Sequence, residues 1–257
     1  MKYWYETHAV AQRILLELWR RKRSLVFWVV FPISILVING LILAERGKFP
    51  IAQGIEQAAP PTLMGSALFF SCLGGAVATV VSEREQRTLK RLFLSPLSGI
   101  SYFLGIFVAH GAIALGQVLL VFTIVVSQGA WIKGSILLAG SIILLGIFAY
   151  VGLGFLLGTQ FARRTEDVNS LVAAFGVPLL ILGGSFFPVS VFPDILLRIA
   201  EFNPIYHMNE ALYGVVVNGD GLEAIANHYA FLSVFAVAMV VLGWLSYQRM
   251  LMGERRL

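Results

Sequence analysis

Six apolar runs dominate the chain, at 25–43, 63–81, 100–126, 135–159, 168–187 and 229–245, and none contains Asp, Glu, Lys or Arg. Helices of this length can cross about 30 Å of hydrocarbon at roughly 1.5 Å of rise per residue. The pattern therefore predicts six membrane-spanning helices. Ahead of the first run, Ala11, Ile14, Leu15 and Leu18 recur at i, i+3, i+4 and i+7. Arg13, Glu17 and Arg21 stand at i, i+4 spacing on another face, and Trp4 and Trp19 are candidate interface anchors. This predicts an amphipathic helix over 3–23 that lies in the membrane interface. The same amphipathicity would equally serve contact with a cytoplasmic partner.

The polar connections carry more information than the spans. Between the second and third runs lies Ser82-Glu83-Arg84-Glu85-Gln86-Arg87-Thr88-Leu89-Lys90-Arg91-Leu92-Phe93-Leu94-Ser95-Pro96-Leu97-Ser98. Ser82 and Glu85 have capping-box spacing, which predicts a helix start there. Glu83 and Arg87 can pair at i, i+4. Leu89, Leu92 and Phe93 form an apolar stripe, and Ser95-Pro96 should stop the helix because the residue before proline avoids the α region. The result is a short charged helix with one apolar face; as a bare charge run it would be only a solvated loop. The connection at 161–167 carries Arg163, Arg164, Glu166 and Asp167 and turns the chain, facing the same side.

The segment 188–228 is unlike the others, being broken by Pro188, Pro193 and Pro204. It predicts two short amphipathic helices over 192–201 and 204–217, with Pro204 suited to a first helical turn. Both are too short to span. Phe186, Phe187, Phe192 and Tyr206 cluster near them. A cap or gate over a pathway and a simple ordered loop both fit this segment.

Charge fixes an orientation. With both ends inside, 15 of the 19 Lys and Arg residues fall in inside segments and four, Arg46, Lys48, Lys133 and Arg198, fall outside. This is the positive-inside bias, so the termini are expected in the cytoplasm of a multi-pass inner-membrane protein. It also explains the net charge of +5 without nucleic acid. The composition is 58% hydrophobic and 13% charged, far below the charged fraction of about 25% in soluble domains. The single cysteine, Cys72, excludes an internal disulfide framework and a cysteine-cluster metal site. No signal-peptide cleavage pattern follows the first run. The expected organisation is therefore an N-terminal cytoplasmic amphipathic helix (1–24), one six-helix domain (25–247) and a cytoplasmic tail (248–257). In it, 82–98 is a cytoplasmic loop and 188–228 an external cap. The fold class is all-α integral membrane protein.

Catalytic chemistry is hard to place. No G-x-x-x-x-G-K-[ST] motif occurs in the sequence, so it holds no P-loop for ATP. No metal-ligating spacing is present. The spans hold no carboxylate, whereas ion-coupled carriers use such groups at midplane. His110 is the one intramembrane titratable group of note. It reads as a proton relay or, more commonly, as a neutral histidine bonded to a neighbouring helix. Gln117 and Asn39 read as helix-contact residues.

At this point the chain resembles the membrane subunits of type-2 ABC transporters, usually exporters. Glu83-Arg84-Glu85-Gln86-Arg87-Thr88-Leu89…Ser95-Pro96 is similar to that family's E-x-E-x-G-T-L…S-P pattern after the second span. Gly184-Ser185-Phe186-Phe187-Pro188-Val189-Ser190…Phe192-Pro193…Asn203-Pro204 is similar to its segment after the fifth. Arg87 departs from the family's glycine, a change a helix tolerates. The resemblance implies a permease that pairs with a second copy or a related permease and docks on two ATP-binding subunits. ATP and Mg²⁺ would sit on those partners, with no cofactor on this chain. It implies that Glu83, Arg84, Glu85, Arg87, Thr88, Leu89, Leu92 and Phe93 couple the spans to the ATPase. Arg163, Arg164 and Glu166 would make a second contact, and Phe186, Phe187, Pro188, Phe192 and Tyr206 would shape an external gate or exit. The implied activity is export of a drug, lipid or glycolipid, with polysaccharide export as a related alternative. An ATP-independent channel or ion-coupled carrier, and a membrane-embedded enzyme or scaffold, are the readings from other classes.

Overall fold

The computed structural model describes residues 2–86, 97–162 and 164–254. All regular structure among them is helical. Six helices are long and apolar enough to cross a membrane: Lys22–Gly47, Ile51–Glu85, Gly99–Ser127, Ile136–Gln160, Thr165–Leu182 and Ala226–Met252, here spans 1 to 6. The chain is an all-α, multi-pass membrane protein. Six crossings put both termini on one side of the bundle, called the termini side below; the opposite side is the far side.

Span 2 is the axis of the bundle, with 78% of its apolar window buried against 17% for span 1 and 22% for spans 5 and 6. It is much longer than the 63–81 that hydropathy predicts. Its first eleven residues, Ile51–Pro61, contain Gln53, Glu56 and Gln57, which mask the helix from a hydropathy reading. Pro60 and Pro61 then remove two amide donors from the ladder, and the helix widens into a π-helical stretch over Thr62–Gly74. Regular α-helix resumes at Gly75–Glu85.

Small residues set the distances between spans, as expected where lipid tails compete with side chains for apolar contact. A Cβ on Gly54 would stand 2.2 Å from the Gly40 carbonyl oxygen, so spans 1 and 2 touch backbone to backbone. A Cβ on Gly152 would stand 2.6 Å from the Met239 carbonyl, and one on Gly243 would stand 2.7 Å from the Gly152 oxygen. Spans 4 and 6 therefore meet just as closely. The turn joining spans 1 and 2 needs a left-handed residue, supplied by Lys48 at φ 53°.

The N-terminal helix covers Lys2–Arg20 and stops short of the expected residue 23. The break falls at Arg21, and span 1 starts at Lys22. The expected face is buried at Ala11 and Ile14, together with Thr7 and Val10. Leu15 and Leu18 pack at its edge. This face lies on span 3, where a Cβ at Gly105 would meet Val10 Cγ1 at 2.5 Å. The helix is thus packed on protein and does not simply float on lipid.

Span 5 ends at Leu182, earlier than the expected 187, because Gly183 and the left-handed Gly184 (φ 80°) turn the chain. The two short helices are present as Asp194–Ala200 and Pro204–Tyr213, with Pro204 in the first turn of the second. A π-helical turn, Gly214–Asn218, follows. Span 6 continues as helix to Glu254, so the expected tail boundary at residue 247 falls inside it.

Candidate functional site

On the termini side, the span 2 helix ends in a charged cluster. Ser82 and Glu85 sit in its last turns and start no new helix. Ser82 Oγ accepts from the Gln86 side-chain amide at 3.0 Å, so the capping-box reading is corrected: the same i, i+3 spacing also occurs inside a continuous helix. Glu83 is 6% exposed. Its carboxylate pairs with Arg13 of the N-terminal helix and accepts from the Tyr102 hydroxyl of span 3 at 2.5 Å. Burying a carboxylate is tolerable only with such partners. The expected partner, Arg87, lies outside the described residues, as do Thr88, Leu89, Leu92, Phe93 and Arg163.

The other end of that loop is held by the same helix. Glu6 accepts from the Ser98 amide at 3.1 Å and the Ser101 hydroxyl at 2.7 Å. Ser98 also caps span 3, accepting from the Ser101 amide. Hydrogen bonds from Ser101 and then the Ser98 amide hold the Glu6 carboxyl below the usual carboxylate range. The N-terminal helix thus holds the described residues on both sides of 87–96, at Glu83 before it and at Ser98 and Ser101 after it. Glu85 forms a third tie, accepting from the Thr165 amide at 3.1 Å and from its hydroxyl. This brings the foot of span 2 to the start of span 5. Arg84 donates to the Thr159 carbonyl of span 4 at 3.4 Å. Arg164 and Glu166 are exposed beside this cluster.

On the far side, a cavity of about 410 Å³ opens between the ends of spans 1 and 2, the turn after span 5 and the helix Pro204–Tyr213. Of the residues expected at an external gate or exit, Phe186, Phe187 and Pro188 line it and Phe192 and Tyr206 do not. Tyr206 instead packs on the His207 and His228 rings. The sequence reading missed the polar residues of this cavity, chiefly Arg46, Asn209 and Glu210. Asn209 is 4% exposed. It donates to the Gly183 carbonyl at 2.6 Å and to Ser185 Oγ at 3.1 Å, which fixes its amide orientation and leaves Oδ1 without a partner. Burial pushes the Glu210 carboxyl above its ordinary range.

Nearby, His207 donates Nε2–H to the Glu201 carbonyl at 2.8 Å, and its Nδ1 stands 2.9 Å from His228 Nδ1. Burial lowers the His207 pKa despite that carbonyl. His207 Nδ1 is then a bare acceptor for His228 Nδ1–H, a bond that requires at least one neutral ring. At mid-bundle, His110 donates Nδ1–H to the Ser71 carbonyl at 2.9 Å and faces Thr79 Oγ1 at 3.4 Å. It fits the helix-bonded reading. Gln117 donates to the Trp28 carbonyl at 2.7 Å, between spans 3 and 1, whereas Asn39 of span 1 donates at 3.5 Å to the Ser185 carbonyl in the turn after span 5.

A six-span bundle clasped by an amphipathic helix at its termini side defines a polytopic membrane protein with a charged cluster on one side and a cavity on the other. The sequence profile of the ABC-2 family transporter proteins matches residues 42–245, and the chain belongs to that family. It is 28% identical over 154 residues to the probable multidrug ABC transporter permease YbhR of Escherichia coli K12, covering 58% of this chain and 40% of that protein. Identity to the E. coli K12 inner membrane transport permease YhhJ is 24% over 174 residues, 67% of this chain and 46% of YhhJ. The chain thus spans under half the length of these two relatives. With the E. coli K12 inner membrane transport permease YadH it shares 27% identity over 219 residues, 83% and 82% of the two chains.

Proposed function

We propose that the chain is the permease subunit of an ATP-driven exporter. It moves a hydrophobic or amphipathic substrate out of the cytoplasm or inner leaflet, with hydrolysis on a separate ATP-binding chain. The termini and the loop 87–96 face the cytoplasm, as the distribution of Lys and Arg favours. Two copies, or this chain and a related permease, dock on two ATP-binding subunits that carry ATP and Mg²⁺. The relatives' printed names, two transport permeases and one probable multidrug permease, support this reading.

The observation that carries it is the double grip of the N-terminal helix on the two feet of the loop, Arg13 on Glu83 and Glu6 on Ser98 and Ser101. A push on segment 87–96 from a partner then reaches spans 2 and 3 through one rigid unit, and span 5 through Glu85 and Thr165. Substrate leaves past the far-side cavity and Phe186, Phe187 and Pro188. Purification of the tagged chain in mild detergent tests the assignment. An ATP-binding subunit should accompany it and be lost on Leu89→Pro, with membrane insertion intact. Transport at the wild-type rate by that variant overturns the coupling assignment.

A further inference from the structure

We propose that the far-side cavity binds a zwitterionic phospholipid with a primary-amine head, its phosphate on Arg46, its ammonium on Glu210 and Asn209, and its acyl chain along the apolar wall. The first ground is charge. Arg46 and Glu210 line one cavity, yet neither has an ion-pair or hydrogen-bond partner among the described side chains. A ligand with both charges satisfies the two at once, while a purely cationic or anionic one leaves the other bare. The second ground is the orphan acceptor. Asn209 Oδ1 is buried and unpartnered, and leaving a buried acceptor unmade is costly. Its amide is locked by two donations to Gly183 and Ser185, so only an incoming donor can satisfy it. A primary ammonium supplies N–H groups to both Oδ1 and the Glu210 carboxylate. A quaternary choline head has none to give.

Position is the third ground. Arg46 lies in the last turn of span 1, where a lipid phosphate would sit. Asn39, which also lines the cavity, is seven residues deeper, about 10 Å along the helix. The cavity therefore runs from headgroup depth into hydrocarbon depth. Ile42 and Leu43 line it between those levels, and Ile42 and Phe187 remain 46% and 54% exposed. An acyl chain can enter sideways from the bilayer. A cavity of about 410 Å³ is of ordinary ligand-site size. Burial raises the Glu210 carboxyl, and a bound ammonium would offset that cost.

The assignment concerns binding and does not depend on what the ATP-binding partner drives. The test is native mass spectrometry of the purified protein, with any subunits that accompany it, in micelles holding equimolar dioleoyl phosphatidylethanolamine, phosphatidylcholine and phosphatidylglycerol. The expected result is retention of phosphatidylethanolamine over both others. Glu210→Gln, nearly isosteric, should cut that retention about tenfold, the loss of one charge-assisted hydrogen bond. Arg46→Ala should weaken phosphatidylethanolamine and phosphatidylcholine alike. A photoactivatable phosphatidylethanolamine should label peptides from 183–191 and 205–213. Equal retention of the amine and choline lipids, preference for phosphatidylglycerol, or labelling confined to other segments overturns the proposal. Absence of an ATP-binding subunit would sink the exporter reading and leave this result untouched.

Discussion

At the residue scale, the clearest device is a carboxylate held by partners far away in sequence. Glu83 is nearly buried, and its charge is met by Arg13, 70 positions earlier, and by Tyr102. Removing one member of a buried pair costs more than removing both, because a lone charge is stranded. Arg13→Ala should therefore lower thermal stability in detergent more than the Arg13→Ala, Glu83→Gln double variant does. A double-mutant cycle on melting temperature measures this, and simple additivity would refute the pairing. Glu6 gives a pH dependence. Its carboxyl is held below the usual range by Ser101 and Ser98, so its contribution is present above the unfolded value of about 4.3 and is lost as pH falls through the lowered one. Hydrogen exchange at residues 98–102, corrected for intrinsic rates, should rise on acidification below that value and show no such rise in Glu6→Gln. His207 behaves in the same sense at higher pH. Burial lowers its pKa, so stability is full above the unfolded value of about 6.5 and falls below it, because the unfolded ring takes up a proton that the buried ring facing His228 resists. Proteolysis of the 188–228 segment should quicken below that pH, and His207→Gln should blunt the change.

At the element scale, helix lengths follow packing more than hydropathy. Span 2 is extended at its start by a helix that hydropathy cannot see, because Gln53, Glu56 and Gln57 interrupt the apolar run. That extension is stable because Gly54 lets it lie on the Gly40 backbone and because Lys133 reaches Glu56 at 2.8 Å. Spans 4 and 6 depend in the same way on Gly152 and Gly243. A leucine at Gly152 would push its side chain into the Met239 backbone, which cannot move aside as a flexible side chain can. Overpacking of this kind typically costs about 1–3 kcal/mol, occasionally more, and here the upper end applies. Gly152→Leu should therefore lose monodispersity on size exclusion, whereas Gly116→Leu, where a Cβ meets nothing within 4 Å, should run as the wild type does.

At the scale of the whole molecule, the two sides of the bundle differ in character. The termini side is tied by charges that link the N-terminal helix, spans 2 and 3 and the start of span 5. The far side holds a cavity lined by Arg46 and Glu210, which have no ion-pair partner among the described residues. The sidedness in the membrane is directly checkable, because Cys72 is the sole cysteine and is buried. Arg164→Cys should react with an impermeant maleimide only from the cytoplasm, and Glu223→Cys only from outside. The reverse pattern would invert the topology on which the exporter reading stands.

The number of spans was legible because uninterrupted apolar runs leave a helix in lipid no alternative: every backbone polar group must be satisfied within the segment. The short far-side helices were legible from their prolines; of the five residues the sequence suggested for an external gate or exit, Phe186, Phe187 and Pro188 line a cavity and Phe192 and Tyr206 do not. The amphipathic face of the N-terminal helix was also visible, in Ala11 and Ile14. Its true seat was not, since periodicity names the buried face without naming what covers it. The capping-box reading of Ser82 and Glu85 failed for a related reason: i, i+3 spacing is shared by a helix start and a helix interior, and only the chain on either side tells them apart. Arg13 with Glu83, Glu6 with Ser98, and Arg46 with Asn209 and Glu210 come together from distant segments, and no local pattern records such pairs. Hydropathy and charge, which act residue by residue, determined that this chain spans a membrane six times and which side its basic residues favour. Which helices touch, where a carboxylate is buried and where a cavity keeps its polar groups unmatched are set by close packing between helices, and only the tertiary structure decided them.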